Sequence, residues 1–343
     1  LTGAGMMDCK KALTETNGDM DAAVEVLKKS GAAKAEKKAA RIAAEGIAKV
    51  AIDGNTAVVV EVNSETDFVA KNAIFQEFVQ AVADKALTVD TEKAGDGEDV
   101  VSILDMKADL DDKILKIGEK ISIRRFEKVT ADVVASYIHG GGRIGVLVAG
   151  NGASDDAAKE ALTNIAMQIA AMNPQYISRD EISADELAKM KEITIDSALN
   201  DPFSLPKPVL SKLIEKAVAG VWSAEDVAIY EEKKSNMNFL PNFLSKEAKA
   251  QLAEIACADK EEISGNKIFS GLVEGRISKQ MKEICLLDQV YVKAEDGKQT
   301  VAAYLKSVNP ALKIAKFVRF EVGEGMEKKN EDFAAEVAKQ MNV

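Results

Sequence analysis

The chain contains the same order of segments twice, a β-hairpin, a helix and a returning strand, and this repeat constrains the fold more than any other feature. In the first copy, apolar residues alternate over 47–52, a turn sequence lies at 53–55, and an apolar run covers 57–62, which together predict a hairpin. Apolar residues at helical spacing predict a helix that starts at Phe68, and alternation over 121–126 predicts a third strand. The first copy therefore predicts a small antiparallel sheet with a covering helix.

The second copy follows directly. Strand-like residues 133–139 and 144–148 flank the glycines at 140–142, which predicts another hairpin because glycine accepts the positive φ angles of tight turns. A helix is predicted from Ser154, and residues 315–322 predict the returning strand after a long interruption. We therefore expect an α+β protein with two related lobes, each with a small three-stranded antiparallel sheet and helices.

The segments outside the repeat have helical patterns. Two short helices, from Met6 to Glu15 and from Met20 to Lys29, are predicted at the start, and Gly31 is expected to end the second one. The expected boundaries are 1–31 for an N-terminal helical module, 32–45 for a linker, 46–130 for the first lobe, 131–180 and 286–328 for the second lobe, 181–285 for a helical excursion and 329–343 for a C-terminal helix.

The helical excursion carries large apolar residues in a proline-containing sequence. Trp222, Phe239 and Phe243 are expected to anchor it by burial, so that it packs as a folded element. A continuous helix is predicted from Lys260 to Cys285, after the shorter helices that precede it in the excursion.

Composition limits the functions open to the chain. Its 343 residues include 45 Lys and Arg against 56 Asp and Glu, which gives a formal net charge of -11. Such a chain lacks the basic excess that displaces counterions from phosphates, so direct binding to nucleic acid is not expected. No apolar run reaches the ~18 residues that indicate a membrane span, and no signal sequence opens the chain, so we expect a soluble cytoplasmic protein without membrane contact.

Residues that usually carry chemistry are sparse. The three cysteines are widely spaced and predict reduced thiols, and the single histidine, His139, excludes a multi-histidine metal site. The glycines around 140–145 match a dinucleotide-binding pattern but join two strands, whereas a dinucleotide loop opens a helix. Glu65 and Asp67 lie on a turn where both are expected to be ionised. We therefore expect no enzymatic activity, no cofactor and no bound metal.

Residues 66–72 (TDFVAKN) form the junction between the first hairpin and its helix. Thr66 is placed to cap the helix, since its hydroxyl can accept from amides one turn ahead, and Asp67 and Phe68 then lie in the first turn. An aromatic ring left exposed there forgoes about 1.5–3 kcal/mol of burial. Two interpretations are open: the ring packs against its own sheet, or another molecule receives it.

Four stretches of the chain resemble the elongation factor Ts family. They are 66–72 after the strand VVVEVN at 58–63, TGAGMMDCKKAL at 2–13, YIHGGGRIGV at 137–146 and RFEVGEG at 319–325. They occur in the family's order and span nearly the whole chain. The resemblance implies a module of the ubiquitin-associated type at the N-terminus, and a guanine nucleotide exchange factor that acts on the GTPase elongation factor Tu.

The resemblance also implies how the GTPase is engaged. Asp67 and Phe68 would form a wedge that disturbs the Mg²⁺ and phosphate site of the GTPase, with Thr66 and Val69 shaping the wedge and GDP release as the result. The further partner contacts that the resemblance implies are Met6, Met7, His139 and Phe333.

Other interpretations stay open at this point. A histidine at a turn often bonds its own backbone, which would explain His139 without a partner. Met6 and Met7 are adjacent and cannot both face one core, so one is expected in the core and one at the surface. The alternative function is a scaffold or subunit that binds elongation factor Tu without exchanging nucleotide, and an enzyme acting on a small molecule is a third class.

The chain departs from the family pattern in two places. The first helix of the N-terminal module is expected to be missing, and the excursion is longer than the family's helical hairpin, with residues 201–262 as an insertion. An apolar face on the excursion would mediate self-association, unless the insertion covers that face. A homo-oligomer formed through the excursion is therefore one expectation.

Overall fold

The structure is a computed structural model and describes residue 2 and residues 4–327. Within these residues the helices are α1 (Met6–Glu15), α2 (Met20–Lys38), α3 (Asp67–Ala70), α4 (Ala73–Thr88), α5 (Val100–Ile103), α6 (Lys107–Ile117), α7 (Asp156–Met172), α8 (Ala184–Asn200), α9 (Lys207–Val218), α10 (Ala224–Lys233), α11 (Lys246–Ala258), α12 (Lys260–Ser264), α13 (Lys267–Ile284) and α14 (Val301–Val308). The strands are β1 (Glu45–Asp53), β2 (Thr56–Ser64), β3 (Lys93–Ala94), β4 (Ile121–Thr130), β5 (Val133–His139), β6 (Ile144–Asn151) and β7 (Lys313–Glu321). Helices combined with antiparallel sheets confirm the α+β class.

The two sheets differ in strand number. The first sheet has the order β1-β2-β4-β3, and all its pairs are antiparallel. The expectation of three strands in this sheet is wrong, because β3 adds a fourth at the edge, and two residues are too few to produce alternation in the sequence. The second sheet has the order β5-β6-β7 and is also antiparallel.

Strand β2 contributes to two cores because successive residues of a strand point to opposite faces. Val58, Val60 and Val62 pack with helix α4 in the core of the first sheet. Ala57 and Val59 belong to a second core that both sheets share. The other buried members of the shared core are Val129, Val134, Leu147, Ala149, Val318 and Phe320. The two sheets therefore pack against each other, and both belong to one compact unit.

Helix α2 is longer than predicted. It continues through Gly31 to Lys38, so the first part of the expected linker is helical. A Cβ atom at Gly31 would lie 3.3 Å from the carbonyl oxygen of Asp111 in α6. The glycine therefore permits close packing of α2 on α6 instead of ending the helix.

The single helix expected from Phe68 is two helices. Helix α3 ends at Ala70, and α4 begins at Ala73 after Asn72, which has extended backbone angles. The Asn72 carboxamide oxygen accepts a hydrogen bond from the Ile74 amide at 2.8 Å and caps α4. The apolar period of the sequence runs through this break and hides it.

Residues 174–290 form a second compact unit, which contains α8 to α13. Trp222 is buried in its core, and the indole Nε1 donates to the carbonyl oxygen of Ala248 at 2.9 Å. Phe239 and Phe243 are exposed. The expectation that all three aromatic residues anchor this region is therefore correct only for Trp222.

The helix expected from Lys260 to Cys285 is interrupted. Helix α12 ends at Ser264, and the Asn266 side chain accepts from the amides of Ile268 and Phe269 to start α13. No helix in the described part of the chain is long and apolar enough to cross a membrane.

Candidate functional site

The junction between β2 and α3 begins with a capped helix. The Thr66 hydroxyl accepts a hydrogen bond from the Val69 amide at 3.4 Å, as the sequence predicts. The Ser64 hydroxyl donates to the Thr66 carbonyl oxygen at 3.0 Å. The chain therefore turns from strand to helix within three residues.

Two carboxylates hold this turn against the loop before β4. Glu119 accepts from the amides of Glu65 and Thr66 at 3.1 and 3.0 Å, and from the Thr66 hydroxyl at 2.7 Å. In return, Glu65 accepts from the Lys120 amide at 2.6 Å and from the Arg41 guanidinium at 3.1 Å. These reciprocal bonds fix the backbone from which α3 starts.

The Glu65 carboxylate is ionised in this arrangement. Burial acts to raise the pKa of Glu65, but the hydrogen bonds from the Lys120 amide and from Arg41 outweigh burial and lower that pKa below its usual range. The charge strengthens each of these hydrogen bonds.

Helix α3 buries one side and exposes the other. Val69 and Ala70 are buried in the core of the first sheet. Phe68 is 79% exposed, although the backbone of Thr66 before it is hydrogen-bonded to Glu119 and Val69 after it is buried. The interpretation that Phe68 packs against its own sheet is therefore wrong: four residues make one helical turn, and Val69 and Ala70 already occupy the inward side.

Asp67 stands beside the exposed ring. Its carboxylate forms an exposed ion pair with the Lys71 ammonium at 2.8 Å, one turn ahead. The hydrogen bond from Lys71 lowers the pKa of Asp67 below its usual range, so the side chain is ionised at neutral pH. The candidate site thus presents an aromatic ring and a negative charge side by side.

His139 lies at the end of β5 and is exposed. Its Nδ1 lies 3.1 Å from the Tyr137 hydroxyl, within hydrogen-bond distance, and the turn that follows packs onto β1. There the Ala48 amide donates to the Gly142 carbonyl oxygen at 2.7 Å, and a Cβ at Gly142 would lie 2.9 Å from Cβ of Ile47. Glycine is required at 142 by this close approach and by its positive φ of 103°.

An open cleft of about 390 Å³ joins α3 to this turn. Its lining includes Asp67 and Lys71, Gly140 and Gly141, and the first residues of β1. The structure therefore brings residues of α3 and of the turn that follows His139 into the lining of one cleft.

The remaining predicted contacts are separate from this cleft. Met6 and Met7 on α1 are 86% and 76% exposed, so the expectation that one of them enters a core is wrong. The short core between α1 and α2 is formed by Ala12, Ala23 and Leu27 instead. Phe333 lies outside the described residues.

Sequence reasoning missed Glu119, the residue that holds the turn. Glu119 and Thr66 are 53 positions apart, and an acidic residue ahead of a strand gives no signal for such a bond. Among the described residues, no group of three or more His, Cys, Asp or Glu side chains could hold a metal ion.

The comparisons with known proteins agree with the resemblance in the sequence. The family model described as elongation factor TS matches residues 65–324. A curated relative, elongation factor Ts of Clostridioides difficile (strain 630), is 41% identical over 348 aligned positions, which cover 99% of this chain and 95% of the relative. Both matches span most of the described fold, including residues 66–69, the turn after His139 and strand β7. The chain therefore belongs to the elongation factor Ts family.

Proposed function

We propose that this chain promotes the release of GDP from elongation factor Tu by inserting Phe68 beside the Mg²⁺ and phosphate site of that GTPase. Membership of the elongation factor Ts family supports the partner and the exchange role. In this role the chain makes and breaks no covalent bond, so it acts as a binding protein and needs no catalytic residue, metal or cofactor of its own.

The exposed ring on a fixed helix is the observation that carries the proposal. Phe68 gives up the burial that an apolar side chain normally gains, while Glu119 and Val69 hold the backbone on either side of it. A ring that is free to move would lose conformational freedom on insertion, whereas a ring on a fixed turn loses less. Phe68 is therefore prepared for insertion into an apolar gap of a partner.

The energy of insertion sets the scale of the effect. To release GDP, the chain must bind the nucleotide-free GTPase more tightly than the loaded form, and the coupling is reciprocal. Burial of one Phe ring contributes about 1.5–3 kcal/mol, which corresponds to roughly a ten- to hundredfold weakening of GDP binding. Any larger acceleration must come from the wider contact.

Asp67 contributes charge beside the ring. A carboxylate brought close to the bound nucleotide repels the phosphates and competes with them for Mg²⁺, a cation that prefers oxygen ligands. The ion pair with Lys71 is exposed, so breaking it costs little when a partner approaches.

The wider contact would come from the turn that lines the cleft and from surfaces outside the cleft. The turn after His139 would bind a further part of the GTPase, and the exposed pair Met6 and Met7 would hold it through the N-terminal helices. Phe333 is proposed as a further contact on the basis of the family resemblance. Thr66 and Val69 act indirectly, the first as the cap of α3 and the second as its buried anchor.

The experiment is the release of fluorescent GDP from purified elongation factor Tu, with and without this chain, using Phe68→Ala and Asp67→Ala variants. Phe239→Ala is the matched control, because it removes an exposed ring of the same kind from the other compact unit. We expect strong acceleration by the parent, a ten- to hundredfold loss with Phe68→Ala and no loss with Phe239→Ala.

Two outcomes would overturn parts of the proposal. Binding of the GTPase without acceleration by the parent would favour the scaffold or subunit as the function. Acceleration by the parent that Phe68→Ala leaves intact would keep the exchange role but reject the wedge.

A further inference from the structure

Strand β2 buries one carboxylate completely. Glu61 has no exposed surface and lies on the same face of β2 as Val59, which belongs to the core shared by the two sheets. A buried charge is costly unless ionic and hydrogen-bonding partners surround it. Buried ion pairs often add no more stability than apolar side chains of the same size. Stability alone therefore does not explain why Glu61 is buried here.

Two consecutive arginines of β4 are the partners of Glu61. Arg125 lies opposite Glu61 in the strand register, and a β-bulge passes over Arg124 before Val62 pairs with Ile123. In a regular strand, two successive side chains point to opposite faces. With the bulge both reach the carboxylate: Arg125 Nε donates to it at 2.6 Å and Arg124 Nη1 at 3.2 Å.

These three side chains, Glu61, Arg124 and Arg125, form what we call the Glu61 clasp, and they also hold the loop after β7. The Glu61 carboxylate accepts from the Gly323 amide at 2.8 Å. Arg125 Nη2 donates to the Glu321 carbonyl oxygen at 3.2 Å. The clasp therefore bonds the first sheet to the end of the last strand of the second sheet.

The loop after β7 has little freedom to lie elsewhere. Gly323 has a φ of 74°, and a Cβ there would lie 2.3 Å from the carbonyl oxygen of Ala44, just before β1. The guanidinium of Arg125 also stacks over the Phe320 ring at 4.2 Å from its centre. The close approach of Gly323 to Ala44 and the stacking of Arg125 on Phe320 thus hold the loop in place together with the hydrogen bonds of the clasp.

The clasp lies between the two surfaces of the candidate site. In the second sheet, His139 pairs with Ile144, which pairs with Glu321, so the strand residues that carry His139 end at the clasp. In the first sheet, β2 continues from Glu61 to the turn that bears Phe68. Two strand pairings therefore connect His139 to Glu321, which is bonded to the clasp, and seven positions along the chain separate Glu61 from Phe68.

We propose that the Glu61 clasp is a positioning device for nucleotide exchange, an inference that rests on the function proposed above: it fixes the spacing of Phe68 and His139 so that both contact the GTPase at once. Glu61 is fully buried and touches no partner itself. Two contacts held at a matching spacing bind together at a higher effective concentration than two that are loosely joined.

The test variant is Glu61→Gln, which keeps the size of the side chain. All the groups that Glu61 binds are donors, from Arg124, Arg125, Gly323 and Asn63. Glutamine places a donor among them and removes the charge, so the clasp loosens. We expect GDP release at limiting concentration of the chain to slow roughly tenfold or more.

The diagnostic measurement is a double-mutant cycle on release rates. His139→Ala is compared in the parent and in the Glu61→Gln background. If the clasp sets the spacing, the loss caused by His139→Ala becomes several times smaller once the clasp is loosened, because the two surfaces no longer act together. A merely structural role would lower all rates by one common factor and leave the fold-loss from His139→Ala unchanged.

A second test variant keeps the test decisive if Glu61→Gln fails to fold, and a control variant accompanies both. Arg125→Lys leaves a positive charge for Glu61 but cannot also reach the Glu321 carbonyl, so it should show a weaker form of the same change in coupling. Asp226→Asn is the matched control, a buried carboxylate in the other compact unit, and should leave release rates unchanged.

The outcomes separate this inference from the proposed function. Unchanged coupling in both Glu61→Gln and Arg125→Lys, with active parent protein, overturns the clasp and leaves the exchange role standing. A parent that releases no GDP rejects the exchange role itself. Reduced coupling in either variant, with Asp226→Asn equal to the parent, supports the clasp.

Discussion

The two repeats leave their hairpins in different ways, and the difference indicates which part of the chain is available for binding. In the second repeat, Asp155 caps α7 and the helix runs unbroken for 17 residues against its sheet. In the first repeat, the four-residue helix α3 and the break at Lys71 and Asn72 come before α4. Helices α4 and α7 each cover one sheet. Helix α3 is additional to this shared plan, and although Val69 and Ala70 pack into the core, its outer side is left for binding.

The additional helix also exposes an apolar side chain of a kind that is normally buried in a core. Phe75 of α4 is completely buried, whereas Phe68, seven positions earlier, is 79% exposed. Two phenylalanines of one segment therefore lie in opposite environments, one in the core and one at the surface. Packing explains Phe75, and the proposed insertion into the GTPase would explain the exposure of Phe68.

The largest effect on stability should come from Phe75→Ala. Removing a fully buried ring leaves a cavity and is expected to cost about 3–5 kcal/mol of unfolding free energy, whereas Phe68→Ala should change it by less than about 0.5 kcal/mol. Urea unfolding followed by far-ultraviolet circular dichroism measures both variants. A large loss of stability with Phe68→Ala would mean that the ring has an internal packing role, and the contrast between the two phenylalanines would fail.

Much of this contrast can be predicted from sequence, because local chemistry determines it. The hairpin turn at 53–55, the cap at Thr66 and the apolar spacing of α4 are local signals, and the structure has each of them. The exposure of Phe68 is only half predictable. The sequence places Phe68 in the first turn of a helix, which leaves both burial and exposure open. In the structure, Val69 and Ala70 occupy the inward side of that turn, and Phe68 is therefore exposed.

What could not be predicted depends on contacts distant in sequence or on very short elements. Glu119 meets Thr66 across 53 residues, and no periodicity reports that bond. The break at Asn72 needs only a single capping bond, and the apolar pattern continues across it. Helix α6 overlaps a strongly acidic stretch, and its buried residues are Leu110 and Ile114, too few to reveal a helix.

An intermediate effect should come from the caps of the two covering helices. Asn72 accepts from the Ile74 amide, and Asp155 accepts from the Ala158 amide, each at 2.8 Å. Replacing either residue with alanine should cost about 1 kcal/mol of unfolding free energy. Only Asn72→Ala should also slow GDP release from elongation factor Tu, since loss of that cap lets α3 and α4 merge and turns Phe68 away from its direction.

Asp155→Ala serves as the stability-matched control in the same exchange assay. Equal slowing by both variants would show that exchange responds to general loss of stability. It would remove the reason to treat the break before α4 as a functional feature of the first repeat.

The smallest effect should come from Glu65, whose charge helps to hold the turn before α3. Its folded-state pKa lies below the ordinary value of 4.5, so its ionised form stabilises the folded protein above that value, and the stabilisation is lost as the pH falls through the folded pKa. Glu65→Gln should lower the unfolding free energy by about 1 kcal/mol or less near pH 7, because glutamine keeps an acceptor for the Lys120 amide but loses the charge that binds Arg41.

The measurement is the difference in unfolding free energy between the parent and Glu65→Gln as a function of pH. The difference should be constant from neutral pH down to about pH 6 and should shrink toward zero as the pH falls below 4.5. A difference that grows on acidification would mean that the neutral form of Glu65 is the one favoured by folding. The turn of the first repeat would then be held by Glu119 and by the burial of Val69, without help from the charge of Glu65.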